Sequence, residues 1–206
     1  MKTKHLYAAE SGTLEEAAAL LKAGQLIAFP TDTLYGVGVD AFNVQAIEEL
    51  YRVKERPRIK GIPILLADAA DINKVAAEVP APAAELIERF WPGPLTLIVP
   101  RKVELPQNLS PNENIAVRIP DNEVARALIR MAGGALATSS ANRSGDEPAR
   151  EAAQVMDALR GRIAAVLDGG PVVHGVPSTI VDCTTPQPRI LRAGPLTATE
   201  LSLERV

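Results

Sequence analysis

Cysteine occurs once in the 206 residues and histidine twice. Cys183 alone cannot build a disulfide framework, so a reducing compartment fits. Its setting, the apolar run Thr179-Ile-Val-Asp-Cys183, reads as packing rather than as a nucleophile. One cysteine with His5 and His174, far apart in sequence, does not suit a structural zinc site, and no metal ligand set is expected. Aromatic residues make up only 3% of the chain, which leaves few platforms for stacking single-stranded bases. No apolar run approaches the ~18 residues of a membrane helix. The start, Met1-Lys-Thr-Lys-His-Leu-Tyr, lacks the apolar core of a signal peptide. The expectation is a cytoplasmic chain without a membrane role. The formal net charge is −3, so no global basic field drives nucleic-acid binding, and any RNA contact has to come from a local patch. There is no Walker phosphate loop and no G-x-S-x-G elbow. The paired carboxylates of a glycosidase cannot be picked out among dispersed acids.

What is present is an ordinary globular composition, 47% hydrophobic and 23% charged, long enough for one sizeable core. Thr13-Leu-Glu-Glu16 reads as a capping box before an Ala/Leu-rich helix that Gly24 stops. Residues 25–29 read as a buried strand ending at Pro30. Asn43 is placed to cap a helix over 44–53, and Pro57 closes that stretch. Pro63 within the strand 62–66 suggests a sheet edge. Helices are expected over 69–77, 82–90 and 147–159, and after an Asp121 cap to Met131, with Gly133-Gly134 ending that one. Further strands are expected over 95–99, 115–119, 135–138, 163–167, 179–182 and 189–191. This imperfect alternation predicts an α/β fold, an open sheet with some antiparallel pairing. Ligands of such sheets sit in a crevice beyond the strand ends.

Two strings carry the chemistry. Arg52, Lys54, Arg56, Arg58 and Lys60 alternate with other residues just past a helix, a pattern that suits a phosphate clamp as well as a solvated basic loop. Thr138-Ser-Ser-Ala-Asn142-Arg-Ser144-Gly145 follows a strand and offers hydroxyls, an amide and backbone N–H groups, a pattern shared by anion sites and by plain turns. Gly36-Val-Gly38-Val-Asp-Ala41 formally fits a dinucleotide fingerprint. Pro30-Thr-Asp-Thr33 precedes it, however, and Val37 and Val39 have the spacing of strand residues, so it is read as a decoy.

Six strings occur in order: Pro30-Thr-Asp-Thr-Leu-Tyr-Gly36, Lys54-x-Arg56-Pro57, Trp91-Pro-Gly-Pro-Leu-Thr96, Ala116-Val-Arg118-Ile-Pro120, Ser140-x-Asn142-x-Ser144-Gly145 and Pro177-Ser-Thr-Ile-Val-Asp182. In combination they closely resemble the YrdC/TsaC family of threonylcarbamoyl-AMP synthases, with motifs spanning about 13–194. The resemblance implies a single YrdC-like domain over 1–206, with a twisted open mixed sheet, flanking helices and a concave basic cavity. It implies synthesis of L-threonylcarbamoyladenylate from L-threonine, bicarbonate or CO2, and ATP with pyrophosphate release, Mg2+ bridging the phosphates. The product would pass to a downstream tRNA-modifying transferase complex that makes threonylcarbamoyladenosine.

Carried over by position, the resemblance assigns Lys54, Arg56, Ser140 and Asn142 to catalysis. It assigns Arg56, Lys60, Asn114, Ser140, Pro148 and Arg192 to ATP. Thr33, Arg118, Thr138 and Ser178 fall on threonine-contacting positions, with Arg118 gripping the carboxylate in a fork. Lys60 and Asn114 depart from the residues common in relatives. On this reading Lys54 and Arg56 neutralise the triphosphate, and their replacement by alanine spares the fold. The alternatives are a YrdC-like RNA-binding module, the carbamoyl-transfer unit of hydrogenase maturation, which sits in a longer chain, or a paralogue without this activity.

Overall fold

The computed structural model describes residues 2–203. Within them the chain runs β1 (Lys4–Tyr7), α1 (Thr13–Lys22), β2 (Ile27–Phe29), β3 (Gly36–Asp40), α2 (Val44–Lys54) and β4 (Ile64–Leu66). A short 3-10 helix (Ala69–Lys74), α3 (Ala81–Phe90), β5 (Leu95–Pro100), β6 (Asn114–Arg118), α4 (Glu123–Ala132) and β7 (Ala135–Ser140) follow. The chain closes with α5 (Ala152–Leu159), β8 (Ala165–Asp168), β9 (Thr179–Asp182), β10 (Arg189–Arg192) and α6 (Ala198–Leu201).

Helix ends follow local chemistry. Asn43 caps α2 by accepting from Ala46 N, and Gly24 takes φ +76 just past α1, as their residue types require. Thr13 does not cap α1: Gly12 holds that position in a left-handed conformation, without a side-chain hydrogen bond. Asp121 does not cap α4 either. Its amide is drawn to Asp32 Oδ1, and Asn122 takes the cap by accepting from Ala125 N. The helix expected from 147 starts only at Ala152. Tertiary bonds hold the segment before it, because Ala149 O accepts from Tyr35 N and Arg150 O from Val172 N. The 69–77 helix is a single 3-10 stretch, since Ala77 N donates instead to Pro100 O. Pro63 does not mark a sheet edge: β4 lies between β7 and β6. Pairing starts one residue later, and Pro63 contributes only its carbonyl, which accepts from Thr138 N. Strand β1 and helix α6 went unforeseen.

All ten strands form one sheet, ordered β1-β8-β2-β3-β7-β4-β6-β5-β9-β10. Pairing is parallel for β1/β8, β2/β8, β4/β6 and β5/β9 and antiparallel elsewhere. Alternation along the strands divides the core. Ile27, Phe29, Leu65 and Leu136 pack under α1 and α4 with Leu21, Leu128 and Ile129. Ala28, Val37, Ile64 and Leu97 face the opposite side, with Leu50 of α2, Leu86 of α3 and Val155 of α5. Truncating such a buried leucine to alanine typically costs about 2–5 kcal/mol.

Candidate active site

An open cavity of about 190 Å3 lies over the central strands. Register places its floor. Leu65 pairs with Arg118, Gly38 with Thr138, Gly36 with Ser140, and Thr96 with Ile180. All of these line one face of the sheet, the one α1 and α4 cover elsewhere. The cavity therefore sits on the sheet face, not solely in a crevice past the strand ends. Loops wall it with Thr33, Arg56, Pro148, Pro177 and Ser178, and the end of β10 adds Arg192. The Gly36-Val-Gly38 string keeps the floor low. A Cβ on Gly36 would stand 2.7 Å from Thr138 Cγ2, and one on Gly38 would stand 2.9 Å from Thr138 Oγ1, closer than side chains tolerate. Val37, between them, points into the opposite core.

Three arginines reach this hollow. Burial, then the neighbouring charges of Arg118 and Arg56, pulls Arg192 below the ordinary arginine range. Arg192 Nε and Nη2 donate to Ser178 O at 3.0 and 2.8 Å. Gly194 permits that approach, since a Cβ there would lie 2.3 Å from Thr179 N. Half-buried Arg56 braces its own loop, with Nε donating to Lys60 O at 2.9 Å and Nη2 to Gly61 O at 2.7 Å. Arg118 is 5% exposed. Its Nε donates to Gly93 O, Nη1 to Thr33 Oγ1 and Nη2 to Asp32 Oδ1. Two of its five N–H donors remain. Burial lowers its pKa, and Asp32 opposes that shift. The fork expected to grip a carboxylate is thus partly held by Asp32, a residue the sequence did not single out.

The hydroxyls of the wall are tied to one another and to the backbone. Thr31 Oγ1 donates to Leu34 O and accepts the amides of Thr33 and Leu34. Thr33 Oγ1 accepts from Arg118 Nη1 at 2.7 Å and lies 3.0 Å from Thr31 Oγ1, in a contact where either oxygen can donate. Thr138 Oγ1 donates to Leu136 O and offers only lone pairs.

Lys54 is 1% exposed and does not line the cavity. Its ammonium is spent on Ser140 O and Asn142 O, with Asn142 Oδ1 at 3.5 Å. Burial first, then the Arg56 charge, lowers its pKa to about 7. Asn142 also lies beneath the wall, its Nδ2 donating to Arg143 O and Asp146 O. Glu55 lies between Lys54 and Arg56 at φ 53, ψ 39. That left-handed residue turns the chain, so that Lys54 enters the protein while Arg56 faces the hollow.

Of the expected positions, Thr33, Arg56, Arg118, Thr138, Ser140, Pro148, Ser178 and Arg192 meet at one cavity. Lys60 and Asn114 do not reach it. Lys60 is exposed in the 56–61 turn, and Asn114 begins β6, about 13 Å along the strand from Arg118. Thr96 and Pro177 also line it. Both stood inside quoted strings, but nothing in their residue type marked them.

A family model described as "Telomere recombination" (Sua5/YciO/YrdC) matches residues 19–194. The threonylcarbamoyl-AMP synthase of Bacillus subtilis is 40% identical over 193 residues, covering 91% of this chain and 55% of that protein. A putative threonylcarbamoyl-AMP synthase of Mycobacterium tuberculosis is 38% identical, covering 90% of this chain and 86% of its own length. The crystal structure of Pyrococcus abyssi Sua5 complexed with L-threonine superposes with TM-score 0.93 at 34% identity, over 98% of this chain and 60% of that one. The chain thus spans somewhat over half the length of the Bacillus and Pyrococcus proteins.

Proposed function

This chain belongs to the Sua5/YciO/YrdC family, and we propose that it condenses L-threonine, bicarbonate or CO2, and ATP into L-threonylcarbamoyladenylate, releasing pyrophosphate. The observation that carries this reading is the meeting of Arg56, Arg118 and Arg192 with Thr33, Thr138, Ser140 and Ser178 on one cavity. A triphosphate needs concentrated positive charge, and a hydroxy amino acid needs fixed donors and acceptors. The relatives' names and the threonine complex of the Pyrococcus protein support the same substrates. The single continuous sheet supports one YrdC-like domain over 1–206.

In this mechanism threonine's amine becomes a carbamate, whose oxygen attacks the α-phosphorus of ATP. The bond to the bridging oxygen breaks, and pyrophosphate carries its electron pair away. Both reactants are anions, so charge neutralisation and positioning dominate the barrier. Arg56 and Arg192 hold the phosphates, and Ser140 and the Pro148 backbone flank the nucleotide. Thr33, Thr138, Ser178 and the two spare N–H groups of Arg118 orient threonine. Mg2+ arrives with the triphosphate. Lys54 and Asn142 act from behind by fixing the Ser140 turn. A nucleotidyl transfer of this kind supplies a downstream tRNA-modifying complex with threonylcarbamoyladenosine precursor. The test is pyrophosphate release by the purified chain with ATP, Mg2+ and bicarbonate. Release that requires L-threonine is expected, and release indifferent to threonine refutes the reading.

A further inference from the structure

Thr96 has no part in the mechanism above, yet it lines the cavity at 4% exposure. Its Oγ1 lies 2.7 Å from Ser178 Oγ, in a contact where either oxygen can donate. Ser178 Oγ also accepts from Arg192 Nη2 at 3.1 Å. Among the described residues the Thr96 hydroxyl has no other hydrogen-bond partner.

A hydroxyl carries one proton and two lone pairs. The pair holds two protons, and one of them lies between the oxygens. Arg192 fills one lone pair on Ser178. One proton is therefore left with no protein acceptor, in a wall nearly closed to solvent. Burying a donor unsatisfied is unfavourable, so the pair is set to donate to a ligand. If Thr96 donates to Ser178, both Ser178 lone pairs are filled and Ser178 points its proton inward. If the internal bond reverses, Thr96 does so. The Arg192 guanidinium beside the pair favours an acceptor that bears negative charge.

We infer that Thr96 and Ser178 form one shared donor for an anionic oxygen of the amino-acid substrate, which makes Thr96 a further substrate-binding residue of the cavity. This deepens the threonylcarbamoyladenylate reading and rests on it. The oxygen belongs to either the carboxylate or the carbamate, and both present the same chemistry.

The shared donor has a signature. Thr96→Val leaves Ser178 its proton, and Ser178→Ala leaves Thr96 its proton, so each single change keeps a donor. Only the double variant removes it. Threonine affinity by calorimetry, without bicarbonate, is expected to fall about threefold in each single variant and about thirtyfold in the double, the loss of one charge-assisted bond. Thr96→Ser should bind as the wild type does. The melting temperature of every variant checks folding, and affinity for a non-hydrolysable ATP analogue should be unchanged in Thr96→Val. If threonine binding is unchanged and only the KM for bicarbonate rises in the same pattern, the oxygen is the carbamate's. If Ser178→Ala alone equals the double variant while Thr96→Val is silent, Thr96 is a bystander and the inference is wrong. A wild type that binds no threonine overturns both this inference and the activity it rests on.

Discussion

The Lys54 ammonium donates to the carbonyl oxygens of Ser140 and Asn142, tying the end of α2 to the turn after β7. A clamp aimed at phosphate would be dispensable for folding, but this one is interior. Lys54→Met should therefore lower stability by about 1–3 kcal/mol, the usual cost of stranding buried carbonyls. Threonine-dependent pyrophosphate release should also fall, because the Ser140 turn loses its tether. Urea denaturation checks the first outcome. A midpoint identical to that of the wild type would return Lys54 to the role of a ligand contact.

The same lysine gives a pH dependence. Folding lowers its pKa to about 7, below the ordinary lysine value near 10.4. Between those values the unfolded chain holds a proton that the folded chain has released, so stability rises with pH across this window. Below about pH 7 the penalty for the buried charge is fully present. Relative to Lys54→Met, the wild type should gain stability between about pH 7 and pH 9. Comparing the two proteins removes other titrations, such as that of Cys183, which burial pushes up to about 12. A difference that stays flat across this range would show that Lys54 titrates normally.

Glu55 adopts φ 53, a conformation that disfavours branched side chains. Glu55→Val should cost about 1–2 kcal/mol and raise the KM for ATP, since Arg56 would be re-aimed. Glu55→Gly should keep both near wild-type values, as relief of strain offsets the lost exposed pair with Arg162. Equal behaviour of the two variants would rule out a steering role for this turn.

Gly36→Ala places a methyl 2.7 Å from Thr138 Cγ2. Overpacking of this kind costs about 1–3 kcal/mol. Thr138 should move, and threonine affinity should drop more than nucleotide affinity. Calorimetry with each ligand separately reads the outcome, and equal losses for the two would count against a local effect on the threonine side.

Much of this architecture was legible because local chemistry agreed with tertiary demand. Asn43, Gly24 and the apolar strands sit where their residue types prefer. Two of the failures mark places where the site intervenes. Asp121 loses its capping role because its amide serves Asp32, and 147–151 stays unwound because its carbonyls serve other segments. β1 escaped notice because three of its four residues are exposed, so it has no apolar signature. The site was legible only as separate strings. Their order identified the family, but no spacing could reveal that Asp32 occupies Arg118, or that Lys54 turns inward while Arg56, two residues on, turns out.

The position of β9 beside β5 has a temporal consequence. Thr96 and Arg118 are made before Ser178, which immediately precedes β9, and before Arg192, which ends β10. Until β9 and β10 dock beside β5, a nascent chain has only half of this hollow. A sheet joined by such distant partners assembles slowly, and the cavity is whole only once both halves of its wall have met.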